Sequence, residues 1–373
     1  VFFSGAAAMK WMIAGGGTGG HLFPGIALAE EIKTRHQDND VLFVGTARGL
    51  EATVVPKQGF RLELIDVVGL KGKGLRGFIA GIVRLPPAFF QALALLRKER
   101  PDMVIGVGGY ASGPVVLVAA LTGYRTAVQE QNALPGFTNR VLGRVVDAVF
   151  VAFKDATPFF PARKVHMIGN PIRRALLDNY LKPKIPSPRF TLLITGGSQG
   201  AHRLNLRVVE AVEALGPLGK EIKIIHQTGT RDRDEIAKQY AALGVDADVV
   251  DFIQDMPTAY ARADLIVCRA GAATLAEITV ARKAAILVPF PFATDNHQEV
   301  NGRSLVEAGA ALMFRESELD GPKLAQAIRE LHDDPARRQK MERASGLLGR
   351  PEAAREIADV CVELMGTLAR QGG

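Results

Sequence analysis

The turn Gly15-Gly16-Gly17-Thr18-Gly19-Gly20, followed by His21, is the first place in the sequence equipped for chemistry. Glycine lets a backbone approach a phosphate closely, and a helix beginning at the turn adds the positive end of its dipole. His21 stands at that helix start, able to take or give a proton near neutral pH. Gly108-Gly109-Tyr110-Ala111-Ser112-Gly113 and Gly196-Gly197-Ser198-Gln199-Gly200 are further turns of the same character. The densest grouping is Cys268-Arg269-Ala270-Gly271-Ala272-Ala273-Thr274-Leu275-Ala276-Glu277. It reads as a strand end, a glycine turn and a helix start whose N–H groups suit a diphosphate. Glu277, within the first turns, is placed to accept from both hydroxyls of a ribose. Downstream, Asp295-Asn296-His297-Gln298-Glu299 follows an apolar strand with groups suited to sugar hydroxyls.

Two other chemistries compete for these residues. Gly15, Gly17 and Gly20 satisfy the G-x-G-x-x-G fingerprint of a nicotinamide dehydrogenase. That reading needs an acid at the end of the second strand. Here Val41–Val44 ends in Gly45-Thr46, and Glu51 arrives several residues late. Metal-dependent sugar transfer needs paired acids at a strand end. The pairs Asp38/Asp40, Asp232/Asp234 and Asp246/Asp248 lie instead in polar connecting or helical stretches and read as solvated surface. No metal and no cofactor is therefore expected. Leaving-group charge falls to helix starts, backbone N–H groups and an arginine.

The elements that must position these turns alternate between strand and helix lengths. Lys10–Ala14, Val41–Gly45, Leu62–Val67, Met103–Gly106, Thr126–Gln129 and Ala148–Val151 read as strands, with helices at Pro24–Arg35 and Ala88–Lys98. That alternation indicates a parallel sheet covered by helices. Residues 171–188 hold four prolines (171, 183, 186 and 188) and five charges, the composition of a linker. Beyond it the opening pattern returns. Phe190–Thr195, Ile222–His226, Leu265–Cys268 and Ala285–Val288 read as strands, and Leu204–Leu215 as a helix. Gly16 and Gly197, in equivalent turns, are 181 residues apart. Two similar α/β halves follow, residues 9–170 and 189–350, with a helix at 352–368 placed to pack back on the first.

Length agrees, since 373 residues at roughly 150 per domain give about two domains. The net charge of +7 is uneven: residues 1–186 carry 23 Lys/Arg and 13 Asp/Glu, residues 187–373 carry 23 and 26. The first half should therefore meet something anionic. Leu70–Arg100 concentrates the charge, with Lys71, Lys73, Arg76, Arg84, Arg97, Lys98 and Arg100 against Glu99. Phe78, Ile79, Ile82, Val83, Leu85, Phe89 and Phe90 are interleaved, which suits an anionic membrane surface, a core helix being the alternative. No nucleic-acid motif accompanies the basic residues. Stretches near Leu75–Leu96 and Val115–Leu121 fall short of the roughly 18–20 apolar residues of a membrane span. Val1–Ala8 lacks the features of a secretory signal, and Met9 is read as the natural start. Cys268 and Cys361, far apart, suit a reducing compartment.

In combination and in order, the Gly15–His21 turn, Gly108–Gly113, Glu130-Gln131-Asn132, Gly169-Asn170-Pro171-Ile172-Arg173, Gly196–Gly200 and the 268–277 segment resemble the MurG family of glycosyltransferases. The resemblance runs from about residue 10 to 350. It implies an α/β GT-B fold, two Rossmann-like doubly wound domains separated by a cleft. It also implies transfer of GlcNAc from UDP-GlcNAc to the MurNAc 4-hydroxyl of undecaprenyl-diphosphoryl-MurNAc-pentapeptide (lipid I), with inversion, at the cytoplasmic face of the bacterial membrane. Donor-contacting positions by resemblance are Thr18, Gly19, Gly20, Asn132, Arg173, Ser198, Ile253, the run Ala272, Ala273, Thr274, Leu275, Ala276, Glu277, and Gln298. Gly17, His21, Gly108, Gly109 and Tyr110 are candidates for the acceptor diphosphate, and His21 or Glu130 for the base. Some members carry a Gln-Gln pair where this sequence has His297-Gln298, and Ala-Leu where it has Ala272-Ala273. Another glycolipid transferase, a UDP-GlcNAc 2-epimerase and a non-catalytic sugar-nucleotide sensor are the competing readings.

Overall fold

A computed structural model describes residues 8–67, 85–180, 188–197 and 200–369 of the chain. Two units divide it, Val1–Arg174 together with Glu352–Gly373, and Ala175–Pro351.

The first unit is built on a parallel sheet of β1 (Lys10–Gly15), β2 (Asp40–Gly45), β3 (Arg61–Leu64), β4 (Met103–Gly108), β5 (Arg125–Glu130), β6 (Ala148–Val151) and β7 (Val165–Met167). Its order is β3-β2-β1-β4-β5-β6-β7. Parallel strands covered on both faces need apolar residues at successive positions, and β4 is buried throughout. Alternation splits them between two cores. Trp11, Ile13, Phe43 and Ile105 face the helices Gly19–Arg35 and Ala353–Ala369, which supply Ile26, Ile32, Ile357, Ala358 and Cys361. Met12, Leu42, Val104 and Val128 face Leu85–Glu99 and Ser112–Leu121, which supply Ala92, Leu96, Val115 and Val116. Arg35 fastens the carboxy-terminal helix by an ion pair to Asp359 (2.7 Å) and a bond to the Arg355 carbonyl (2.6 Å).

The second unit repeats the plan with β8 (Thr191–Thr195), β9 (Lys223–Gln227), β10 (Ala247–Val250), β11 (Leu265–Cys268), β12 (Ala285–Leu287) and β13 (Ala311–Met313). Its order, β10-β9-β8-β11-β12-β13, is 3-2-1-4-5-6 when counted within the unit, as in the first six strands of the other. Both sheets therefore reverse direction between their first and fourth strands. Ligands of open α/β sheets bind at the carboxyl ends of the strands at that reversal. The turns after β1, β4, β8 and β11 are the four glycine turns of the sequence.

Some expectations need correction. The first helix starts at Gly19, ahead of Pro24, because the Thr18 carbonyl already accepts from His21 and Leu22. β7, β10 and β13 are short edge strands with too few buried positions to stand out. Residues 174–180 of the proline-rich stretch are helical, and 181–187 lie outside the described residues. The Asp-x-Asp pairs are not uniformly solvated surface. Asp40 opens β2, Asp248 lies in β10, and Asp232 is buried, accepting from Asn205 Nδ2 (2.8 Å) and pairing with His202 Nδ1 (3.0 Å). Those partners offset the cost of burying its charge.

Candidate active site

In the first unit the turns after β1 and β4 lie backbone to backbone. The Gly16 N–H donates to the Gly108 carbonyl (3.2 Å), and a Cβ on Gly109 (φ +85°) would overlap the Gly16 oxygen. Only glycine permits this approach. His21 leaves the first helical turn with its ring against Gly108, where an added Cβ would sit 2.7 Å from Nδ1. That Nδ1 lies 3.1 Å from Oε1 of Gln131, a buried side chain whose Nε2 donates to the Val107 carbonyl at 2.8 Å. Thr18 and Gly20 are exposed, Gly19 and Gly109 are half-buried, and Tyr110 is exposed. The helix starting at Gly19 directs the N–H groups of its first turn outward along its axis.

Two carboxylates in this region are occupied internally. Glu130 is buried at the end of β5. Its oxygens accept from Asn132 N (2.9 Å), Gly136 N (3.1 Å) and Asn139 Nδ2 (2.9 Å), so it shapes its own loop and holds Asn132 in place. Glu51, too distant in sequence for a dehydrogenase's ribose acid, folds back beneath the first glycine turn. It is 1% exposed and accepts from Gly17 N (2.7 Å), Thr46 N (2.9 Å) and Thr46 Oγ1 (3.0 Å). The Gly17 N–H is thus directed at Glu51. The Arg173 guanidinium stacks 5.1 Å from the Phe23 ring, about one turn along the helix that Gly19 begins.

In the second unit one buried side chain ties two segments of the candidate donor site. Gln227 Nε2 donates to the Gly197 carbonyl (2.8 Å), and its Oε1 accepts from the Ile253 N–H (3.2 Å). Ser198 lies outside the described residues. Gly271 caps the helix Ala272–Val280, which buries Ala272 and Leu275 and leaves Ala273, Thr274, Ala276 and Glu277 half-buried. Glu277 Oε2 accepts from the hydroxyl of Tyr260 at 3.0 Å. Arg269, at the end of β11, pairs with buried Glu316 and donates to the carbonyls of Val288 (3.1 Å) and Pro289 (3.2 Å). It thereby locks the exits of β11 and β12 together.

The loop beyond β12 carries two residues in left-handed backbone, Asp295 (φ +52°) and Asn296 (φ +55°). They turn the chain into the helix His297–Glu307. Gln298 Oε1 accepts from the Phe290 N–H (2.9 Å), which leaves its amide hydrogens for a ligand. His297 Nδ1 lies 2.7 Å from the Thr294 carbonyl, and Arg315 beside Glu299 holds that carboxyl down at about 2. Among the described residues, no group of three His, Cys, Asp or Glu side chains is placed to hold a metal ion. Burial pushes the Cys268 thiol up to about 12, so this strand-end cysteine stays protonated.

The structure thus gathers Gly17–His21, Gly108–Tyr110 and Asn132 in one unit, and Ile253, Ala272–Glu277 and Gln298 in the other. The sequence assigns no bracing role to Glu51 or Gln131 and does not single out Gln227 or Tyr260, yet each of the four holds a candidate residue or its turn. Their only linear signal is a polar side chain next to an apolar strand or within a helix.

Two family domains match the chain: the glycosyltransferase family 28 N-terminal domain over residues 11–151 and its C-terminal domain over residues 191–359. A UDP-N-acetylglucosamine--N-acetylmuramyl-(pentapeptide) pyrophosphoryl-undecaprenol N-acetylglucosamine transferase of Myxococcus xanthus is 61% identical, covering 96% of this chain and 93% of the relative. The crystal structure of Acinetobacter baumannii MurG has a TM-score of 0.77 at 32% identity, covering 95% of this chain and 99% of that one. A UDP-N-acetylglucosamine 2-epimerase structure shares the fold alone, with a TM-score of 0.67 at 15% identity, covering 98% and 97%. With the same strand order in both units and glycine turns at both reversals, these likenesses place the chain in the MurG family of family 28 glycosyltransferases.

Proposed function

We propose that the protein transfers GlcNAc from UDP-GlcNAc to the MurNAc 4-hydroxyl of lipid I, forming lipid II with inversion at the anomeric carbon. Full-length likeness to named GlcNAc transferases is the observation that supports this reading most. The second unit is assigned the donor. The helix beginning at Ala272 turns N–H groups toward the diphosphate, Glu277 accepts from the ribose hydroxyls, and Gln298 donates to the sugar. The first unit is assigned the acceptor, with Gly17, His21, Gly108, Gly109 and Tyr110 at its diphosphate. Thr18, Gly19, Gly20, Asn132, Arg173 and Ser198 complete the donor contacts.

In the reaction the acceptor O4 forms a bond to the anomeric carbon as the bond from that carbon to the diphosphate oxygen breaks. The bonding pair leaves with UDP, and the O4 proton passes to the base. His21 is the better base of the two candidates, since the oxygens of Glu130 are taken up by donors of its own loop. The half-exposed imidazole remains beside the turn.

Attachment to an anionic membrane surface through the 70–100 region belongs to the same proposal. Residues 68–84 lie outside the described residues. In the helix Leu85–Glu99, Phe89 packs against the core while Phe90 is 72% exposed, and Lys98 pairs with Glu63. Among the described residues no helix is long and apolar enough to cross a membrane. Binding to vesicles should rise with anionic lipid and fall with salt.

The test is radiolabelled UDP-GlcNAc with a lipid I analogue, with and without chelator. Label should move to the lipid and UDP should be released, unaffected by chelation. Consumption of UDP-GlcNAc without acceptor would make the protein an epimerase, and donor binding without turnover would make it a sensor.

A further inference from the structure

We infer that Gln131 is a positioning residue for catalysis, fixing His21 in the tautomer that presents an unprotonated Nε2 to the acceptor. This rests on His21 acting as the base. The argument is one of donors and acceptors. Gln131 Nε2 faces the carbonyls of Val107 (2.8 Å) and Gln129 (3.4 Å) and the side-chain oxygen of Gln129. All three only accept, so this end of the amide is the NH2 group and the other end is the oxygen. That oxygen lies 3.1 Å from His21 Nδ1, and an oxygen needs a hydrogen there. In neutral imidazole the single proton then sits on Nδ1 and the lone pair on Nε2.

The backbone carbonyls of Val107 and Gln129 set this orientation, and the neighbouring amides follow it. Gln129 Nε2 donates to Asn170 Oδ1 (3.0 Å), which leaves the Gln129 oxygen for Gln131. Gln129, Gln131 and Asn170 are all at most 4% exposed, so water does not compete for these bonds. A line of amides thus runs from the Gly169-Asn170-Pro171 segment to the imidazole. Because every member is uncharged, it sets the proton's location without drawing His21 toward the imidazolium, which would be useless as a base. The ionisable groups on the segments around His21 are Glu51 beneath the turn, Tyr110 after β4, Glu130 at the end of β5, and Arg173 over Phe23.

The test compares pH profiles of kcat/KM for the full-length protein with UDP-GlcNAc and a lipid I analogue. Gln131→Leu should lose kcat at every pH, roughly tenfold or more, while both KM values change little. A kcat in Gln131→Leu that stays near wild type, alongside a His21→Gln variant that is inactive, would overturn the role of Gln131 and leave His21 as the base. Activity surviving in His21→Gln would overturn the base assignment, and this inference with it. Nitrogen-15 NMR of histidine-labelled wild-type protein at alkaline pH needs no variant to fold. A proton on Nδ1 of His21 is expected, and one on Nε2 would overturn the proposal.

Discussion

The two units share a strand order and place glycine turns at the same two strand ends, yet they equip those turns differently. In the first unit the turn is braced from beneath by the Glu51 carboxylate, and its reactive side chain, His21, is held by a neutral amide. In the second, a carboxylate is presented rather than hidden: Glu277 is half-buried and held by the Tyr260 hydroxyl. There the buried ion pair of Arg269 with Glu316 ties strand exits together. Topology decides where a ligand can sit; the charges added around the turn decide which ligand and which chemistry.

Substitutions can break that contrast, and the unit each one affects is readable. Trp11, the only tryptophan, is buried in β1, so its fluorescence reports the first unit. Arg269→Leu should have the largest effect, about 3–5 kcal/mol, because it takes the nearer cation from the buried Glu316 carboxylate, leaving Arg203 at 3.7 Å, and the donor from two buried carbonyls. Hydrogen exchange in β11 and β12 should accelerate while the Trp11 transition holds; a shift in the latter alone would misplace the effect. Glu51→Ala should reverse the pattern, destabilising by about 3 kcal/mol because three donors lose a buried acceptor. Here the Trp11 transition should move, and acceptor turnover should fall with it.

Acid should single out the second unit. His226 is buried between Tyr240 and Asn205, and burial lowers its pKa from 6.5 to about 3. Below 6.5 the unfolded chain binds a proton that the folded one refuses, so this stability is present above that value and lost as pH falls toward 3. The loss is on the order of 1 kcal/mol per pH unit, or about 3 kcal/mol at pH 4.5. A His226→Gln variant should lack that slope when urea unfolding is compared at pH 7 and 4.5; an unchanged slope would refute the assignment. The smallest effects concern the ribose. Glu277→Ala should raise KM for UDP-GlcNAc about tenfold, and Tyr260→Phe about threefold, with kcat nearly constant, since hydrogen bonds to a charged group are worth roughly 1.5–3 kcal/mol and neutral ones less. If neither moves KM, Glu277 is not at the donor.

The turns were legible in the sequence because glycine after an apolar strand has few other uses, and their repetition after 181 residues exposed the second unit. The side chains that brace those turns were not. Gln131 meets His21 across 110 residues, and Glu51 meets Gly17 across 34, contacts created only when β1, β2, β4 and β5 align. Asp232 reads as a surface acid until Asn205 and His202 arrive from the helix His202–Leu215. The helix from Gly19 was underestimated for a related reason. Glycine carries no propensity signal, so the sequence shows a turn where packing produces a helix.

The helix Ala353–Ala369 completes a core begun some 340 residues earlier, its Ile357, Ala358 and Cys361 joining the cluster of Trp11 and Ile13 by packing on the helix Gly19–Arg35 and on β5. On the ribosome all of Ala175–Pro351 is polymerised before that helix emerges, an interval on the order of ten seconds at about 5–20 residues per second. The contiguous second unit has that time to fold, while the first waits with part of one sheet face uncovered. Completion therefore inverts the order of synthesis, and a chaperone surveying the nascent chain would find its apolar target beside the helix Gly19–Arg35 and β5.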